Sequence, residues 1–326
     1  MTFPVATPYS GATPNPAYSG TFIPEVWSGK LVEKFYKATV LGAVANTDYE
    51  GEIKNYGDKV QIRSRPDVTI ADYSADQELA VTRPSVAKQT MNIDKGKYFN
   101  LALDDVMEVQ SDIDQLSIWA EDAAEQMKIN IDNDVLNTGL VGNSAAANMG
   151  LTAGAISSSY RLGTAAAPAY INKVAAGTGA GDSASNDRAV IDFIVDTGSV
   201  LDEQNIPESG RWMVIPAWVA GLIKQSDLKD ASLSGDGTSI LRNGRLGMID
   251  RFTIYISNVL TADATYTSSY PVLFGTKAGF SFASQVTKLE TIRSERTFSN
   301  LLRGLQVYGY KVVNSVALGT AYARRG

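Results

Sequence analysis

The 326-residue sequence has no cysteine and no histidine. Without His there is no Ser-His or Cys-His nucleophile pair and no imidazole base titrating near neutral pH. Without Cys as well, the usual donor sets for zinc, iron-sulfur clusters and haem are missing, which leaves carboxylate oxygen sites for hard cations. Disulfides are excluded by the same absence.

Charge is also sparse. Charged residues make up 20% of the chain, against roughly 25% in ordinary soluble domains, as expected of a surface with extensive contacts to other chains. The balance of 29 Lys+Arg against 35 Asp+Glu gives −6, which argues against gripping nucleic acid over a broad basic face. No run approaches the roughly 20 apolar residues of a membrane span, and no basic-then-apolar leader opens the chain. A soluble protein made inside the cell, with no membrane partner, is expected. The length allows one large domain or two moderate ones with a core that needs no staples.

Residues 1 to 22 carry Pro4, Pro8, Pro14 and Pro16 among small residues and read as an extended arm with no core of its own. A helix is predicted from Pro24, with a stripe of Trp27, Leu31, Phe35 and Val40 ended by Gly42. Residues 58 to 100 read as a long two-armed hairpin: Val60 and Ile62 go out, Asp72 to Glu78 is polar, and Met91, Ile93, Phe99, Leu101 and Leu103 return. A hairpin with so few large apolar residues cannot hold itself up alone.

The clearest helix follows. Ser111 and Asp114 are spaced as a capping box, and an apolar stripe runs through Val109, Ile113, Leu116, Ala120, Ala123, Met127, Ile131 and Val135 to a stop at Gly139. From Asp104 to Asp134 there are ten Asp/Glu and one Lys, whereas 288 to 326 hold seven Lys/Arg and two Glu. Such blocks are either solvated faces or complementary subunit surfaces. Residues 141 to 187 contain 13 Ala, 7 Gly and 6 Ser and read as a weakly structured insertion. Next come a helix over 187 to 204, a buried strand Arg211 to Ile215, a helix Pro216 to Ser226, a Gly-rich loop 227 to 245 and a strand Phe252 to Ile256. Further strands are predicted at Val272 to Phe274, Phe280 to Phe282 and Leu301 to Val316.

Enzyme motifs fail one by one. Gly177-Thr-Gly179-Ala-Gly181 lacks the Lys-Ser/Thr of a phosphate loop and has Asp182 where a dinucleotide fingerprint needs Gly. Ser234-Gly235-Asp236-Gly237, with Asp227 and Asp230, lacks the spacing and closing Glu of a calcium loop. The carboxylate pairs Asp104-Asp105, Asp112/Asp114 and Asp132/Asp134 could serve a glycosidase, but they lie on or beside the acidic helix, where solvation explains them. No catalytic, cofactor-binding or metal-binding residue is assigned, and no enzyme is expected.

The ordered motifs carry a resemblance. Trp27-x-x-x-Leu31-x-x-x-Phe35, Asn46-x-Asp48-Tyr49-x-Gly51 and Gly57-Asp58-x-Val60-x-Ile62 are followed by Asn243-Gly244-x-Leu246-Gly247-x-Ile249-x-x-Phe252-x-Ile254-Tyr255-x-Ser257-Asn258. Phe282-Ala283-x-Gln285 and Tyr308-Gly309-Tyr310-x-Val312-Val313 complete the series. Taken in order, from about Trp27 to Leu318, they resemble the major capsid proteins of tailed bacteriophages, of the Hong Kong 97 type. One departure is Arg251, where that family commonly has Gly, so a different local turn is expected.

The resemblance implies an α+β phage capsid fold with an N-terminal arm, an extended β-hairpin loop, a long spine helix in a peripheral domain and a mixed α/β axial domain. Its divisions fall at 1–48 for the arm and first helix and 49–103 for the extended loop. The peripheral domain takes 104–210 and 286–326, with a spine helix over 111–138 and the insertion at 141–187, and the axial domain takes 211–285. The implied role is self-assembly into hexamers and pentamers of an icosahedral head enclosing double-stranded DNA. Such a protein would be assembled in the host cytoplasm and located in the virion. The other implied partners are a portal, scaffolding or decoration proteins, and DNA contacted non-specifically. The charged candidates for subunit contact are Arg63, Arg65, Asp72, Asp76, Glu78, Arg83 and Lys88 in the loop, Glu121, Asp122 and Glu125 on the acidic helix, and Arg293 and Arg296 in the basic tail. Some phages of this type cross-link their shells through a Lys-Asn bond; no feature selects among Lys59, Lys88, Lys95 and Lys97, so no cross-link is expected. An encapsulin-type nanocompartment shell is the alternative within the fold, and a carboxylate-based hydrolase the alternative outside it.

Overall fold

A computed structural model of the chain describes residues 36–48, 59–63, 66, 68–73, 75, 77–78, 81, 83–84, 88–105, 115–173, 187–226, 247–295 and 297–326. The arm, the helix expected from Pro24 as far as Phe35, the Ser111/Asp114 box, the Gly177 run and the loop at 227 to 245 lie outside these residues.

The centre is a seven-stranded mixed sheet built on β6 (Arg211–Ile215), every residue of which is buried. Its order is β5 (Asp187–Ala189), β4 (Ala169–Asn172), β12 (Leu318–Arg325), β9 (Tyr270–Thr276), β6, β8 (Phe252–Ile256) and β7 (Met248–Ile249). Side chains alternate across a strand, and here the alternation feeds two cores. Met213 and Ile215 of β6 join Val272 and Phe274 of β9 on one face, with Phe193, Ile194 and Leu201 of α3 (Val190–Glu203) and Val219 and Ile223 of α4 (Ala217–Gln225). Trp212, Val214 and Leu273 face the other way. There they meet Leu41 and Val44 of α1 (Leu41–Val44), Ile131 of α2 (Gln115–Asn133), and Val135, Leu136 and Leu140 of the π-helical segment that follows it. The α+β class expected from the sequence is therefore observed, with helices on both faces of the sheet. The sheet takes strands from segments the sequence assigned to two different domains: β4, β5 and β12 from one, and β6 to β9 from the other.

A second, antiparallel sheet has the order β10 (Phe280–Arg293), β11 (Ser299–Val312), β3 (Lys95–Asp104). A two-stranded ribbon of β1 (Lys59–Arg63) and β2 (Lys88–Asn92) leads into the extended loop, with Val60 opposite Met91 and Ile62 opposite Gln89. The ribbon is seated by a small core of Val60, Ile62, Met91, Ile93 and Ala283. Gly309 makes this seating possible, because a Cβ there would strike the Asn92 carbonyl and lie 2.9 Å from Ile93 Cα.

Several expectations are corrected. Phe99, Leu101 and Leu103 do not belong to the returning arm of the hairpin; they sit on β3, which pairs with β11. Gly42 does not end a helix but lies within α1. Gly139 does not end the long helix either: the segment widens to π-helical from Asp134 to Leu140, and Gly139 is where the Tyr310 ring packs, with room for a Cβ only 2.5 Å from the ring. The supposedly loose insertion is, over residues 141 to 173, part of the core. Ala153, Leu162, Ala169 and Ile171 are buried, and Ser144 and Asn148 are tied to β12 and the turn before it. Its Ala and Gly mark close packing rather than slack. The strand expected to run from Leu301 to Val316 stops at Val312, where Asn314 accepts the Val316 N–H and turns the chain into β12.

Nor is solvation the explanation for Asp132. This carboxylate is buried and accepts the Val40 and Leu41 N–H groups at 2.9 and 3.0 Å, binding α1 to α2. Burial pushes its carboxyl up from the ordinary value and those two N–H donors oppose the shift.

Candidate assembly interface

At β6 the sheet closes around a charge. Arg211 is buried and donates to the Pro207, Gly198 and Ile206 carbonyls and, at 2.7 Å, to Asp202 Oδ1. Arg251 reaches the other oxygen of Asp202 at 2.8 Å and Glu208 at 2.9 Å. Burial pushes the Asp202 carboxyl up, but hydrogen bonds from the two guanidiniums outweigh it and hold the group below the usual carboxylate range. The β7–β8 turn has φ 45° at Asp250 and 65° at Arg251, the left-handed pair of a two-residue hairpin. The expected departure at Arg251 is therefore one of side chain, since the backbone is of the kind Gly favours. The ion pairs hold an arginine there against a cost of about 1 kcal/mol.

The three-stranded sheet is open. On one face of the three-stranded sheet Leu305 lies opposite Tyr98, and Ile292 opposite Leu301. Tyr98 is 80% exposed, and Leu305 and Ile292 are exposed too. On the other face Leu289 is also exposed, and at the tip between β10 and β11 Phe298 is 84% exposed. A shallow groove of about 390 Å³ crosses the first face between Tyr98, Asn100, Lys288, Glu290, Arg303 and Leu305. The extended loop repeats the pattern: Ile70 is 93% and Val81 88% exposed, with Val68 and Tyr73 close behind. Apolar side chains in such number and continuity mark a contact surface.

The ribbon's outward face carries Lys59, Gln61, Arg63, Lys88, Thr90 and Asn92, and Arg63 is the register partner of Lys88. Like charges directly opposite each other destabilise a strand pair unless an anion answers them.

The charged candidates fall into three groups. Arg63, Asp72, Glu78, Arg83 and Lys88 are exposed on the ribbon and loop, while Arg65, Asp76 and Arg296 lie outside the described residues. On α2, Glu121 is exposed, Asp122 accepts the Tyr36 hydroxyl at 2.9 Å and Glu125 pairs with Lys128. Arg293 forms a bidentate pair with Asp105 of the same chain, Nη1 to Oδ1 at 2.7 Å. The acidic and basic blocks thus meet inside a single subunit. Sequence reasoning missed the apolar contributors. The signal for them was β3 itself, where Tyr98 and Ala102 stand on the same face as Asn100 and Asp104.

Among the described residues no group of three or more Asp/Glu is placed to hold a metal ion, and no helix is long and apolar enough to cross a membrane. Exposed apolar side chains on the three-stranded sheet and the loop, beside a seven-stranded sheet packed on both faces, are features of a protein that works by contact. The comparisons agree. A family model described as phage capsid protein matches residues 88–322, and the chain belongs to that family. A chain from Mycobacterium phage Che8 is 25% identical, with a TM-score of 0.70, over 93% of this chain and 98% of that one. At lower identity the same fold occurs in the capsid of cyanophage P-SCSP1u, at 16% identity and TM-score 0.64 over 94% of both chains. It occurs also in the mature capsid of bacteriophage PhiM1, at 15% and 0.63 over 98% of this chain and 99% of that one. A search of curated proteins gives no match. Membership of a capsid family implies a structural role and a place in the virion.

Proposed function

We propose that the chain is the major shell subunit of a phage head, assembling with copies of itself into hexamers and pentamers of an icosahedral shell around double-stranded DNA. The observation that carries this reading is the three-stranded sheet, with Tyr98, Leu305 and Ile292 exposed on one face and Leu289 on the other, together with the apolar loop residues Ile70 and Val81. A subunit of this family would cover such surfaces with its neighbours. Arg63, Arg65, Asp72, Asp76, Glu78, Arg83 and Lys88 would border the loop's contact, and Glu121, Asp122, Glu125, Arg293 and Arg296 would border those of α2 and the tip. Assembly would take place in the host cytoplasm, with a portal and scaffolding or decoration proteins as further partners.

Negative-stain microscopy of the purified chain tests the reading directly. Closed shells or six-membered rings are expected, and a monodisperse monomer at every concentration and salt would count against it. Reversing the charges at Glu121, Asp122 and Glu125 should weaken assembly and change its salt dependence. Glu121 is the informative position, because the other two already have partners in their own chain.

A further inference from the structure

We propose that the cleft beside the end of β12 is a phosphate-binding site through which the subunit holds the backbone of nucleic acid. The proposal rests on the shell reading for the presence of that nucleic acid and adds the residues that touch it. The cleft, about 450 Å³, is lined by Trp218, Thr267, Ser268, Tyr270, Arg324 and Arg325.

Its charged side chains are donors only. The other arginines of the same sheet are matched to carboxylates, Arg188 to Asp196 and Arg211 to Asp202. Arg324 and Arg325 are exposed, and among the described residues neither has a carboxylate within ion-pair distance. The Arg324 guanidinium lies 5.4 Å from the centre of the Tyr170 ring, on the face of β12 opposite to Arg325, so the two flank the end of the strand from either side. Held over an aromatic face, a guanidinium keeps its in-plane N–H fork free for a phosphate or carboxylate. Trp218, edge-on to Tyr270 at 6.2 Å, has a buried indole N–H with no acceptor, and the neighbouring Ser269 Oγ is buried without a partner. Two guanidiniums and an indole N–H only donate, and the hydroxyls of Thr267 and Ser268 can donate as well, a set suited to an anionic ligand.

Phosphodiester oxygens fit better than a protein carboxylate. They recur along a strand, so that both arginines can be met at once, and they need no shape match to an open cleft. Nothing in the donor set reads bases, so the contact is independent of sequence. The chain is at −6 overall, so affinity must come from these few contacts rather than from a general field.

The experiment measures fluorescence anisotropy of a mixed-sequence DNA duplex of about 20 base pairs with the full chain across a salt series. It uses wild type, Arg324→Gln/Arg325→Gln and Trp218→Phe, with microscopy of each and circular dichroism as a check on folding. The double variant should bind more weakly and lose about two from the slope of log affinity against log salt, one per phosphate contact. Trp218→Phe should lose less, with the slope unchanged. Inorganic phosphate should compete only weakly and polyglutamate poorly. An unchanged slope in a folded double variant overturns the proposal. So does polyglutamate competing as well as DNA, and so does a double variant that stops forming shells while binding DNA normally, since the cleft would then be a contact between copies. If the wild type forms no shells but the slope still falls in the variant, the cleft stands and the shell reading fails.

Discussion

The seven-stranded and three-stranded sheets use the same residue types to opposite ends. In the first, β6 is buried along its whole length and helices close both faces, so that even Arg211 lies inside with its hydrogen bonds satisfied. In the second, β10 and β11 are each 14 residues long, and the half farther from β12 is covered only in part, with Leu302 and Leu103 buried on one face. Phe280, Ala283 and Tyr308 are buried, whereas Leu289, Ile292 and Leu305 are exposed. Both sheets carry large apolar side chains; what differs is whether the chain itself supplies the covering layer. One sheet is finished within the chain, and the other is not.

That contrast is broken most severely at Arg211. Replacing it by Met leaves the Pro207, Ile206 and Gly198 carbonyls without their donor and the Asp202 carboxylate with Arg251 alone. The cost to subunit stability should be about 3 kcal/mol, read as a lower denaturation midpoint in urea at unchanged slope. A loss below about 1 kcal/mol would mean that the buried charge is not what holds α3 to β6.

Asp132→Asn ranks next. An amide can accept from only one of the Val40 and Leu41 N–H groups and points its own donor at the other, so a loss of about 1.5 kcal/mol is expected, in the same measurement. Hydrogen exchange should localise it to α1 and the end of α2.

Acid tests the same closed region more gently. The folded Asp202 carboxyl titrates below the ordinary value, so the folded state binds its proton more weakly than the unfolded chain does. The stability it contributes is complete above the ordinary carboxylate range and is lost as pH falls through the lowered value. Because Asp202 is partly exposed, the effect is small. Stability of the wild type should therefore fall more steeply below about pH 4 than that of Arg251→Gln, which has lost one of the two cations. Parallel curves would remove Arg251 from the account.

How much of this was legible in the sequence follows from what periodicity encodes. Val60, Ile62 and Met91 announced the ribbon by alternation, and Arg211 to Ile215 announced a buried strand by being unbroken. The pairing of β12 with β9 and β4 was not legible, because a strand's pattern states which face is buried and not which distant strand lies beside it. Composition misled at 141 to 173, where small residues are small because Thr320 and its neighbours come close. Gly139 misled as well: a stop signal by rule, it is here the gap that admits Tyr310. Of the candidate contacts, charge was legible residue by residue, but exposure of apolar side chains was not, since Ile70 and Ile171 look identical until one is 93% exposed and the other buried.

The smallest expected effect on the subunit sharpens the comparison furthest. Ile70→Asp and Tyr98→Asp alter side chains that touch almost nothing in their own chain, so each should leave the urea midpoint within about 0.5 kcal/mol of wild type. On the shell reading those same positions are covered on assembly, where an unpaired carboxylate would be driven out of water at a cost of several kcal/mol. A subunit as stable as wild type that forms no shells is the signature of a surface finished by neighbours. If Tyr98→Asp destabilises the isolated subunit as Arg211→Met does, the three-stranded sheet is closed by its own chain and the two sheets do not differ in kind. If both variants assemble normally, these side chains lie outside the contacts, and the exposed half of β10 and β11 needs another explanation.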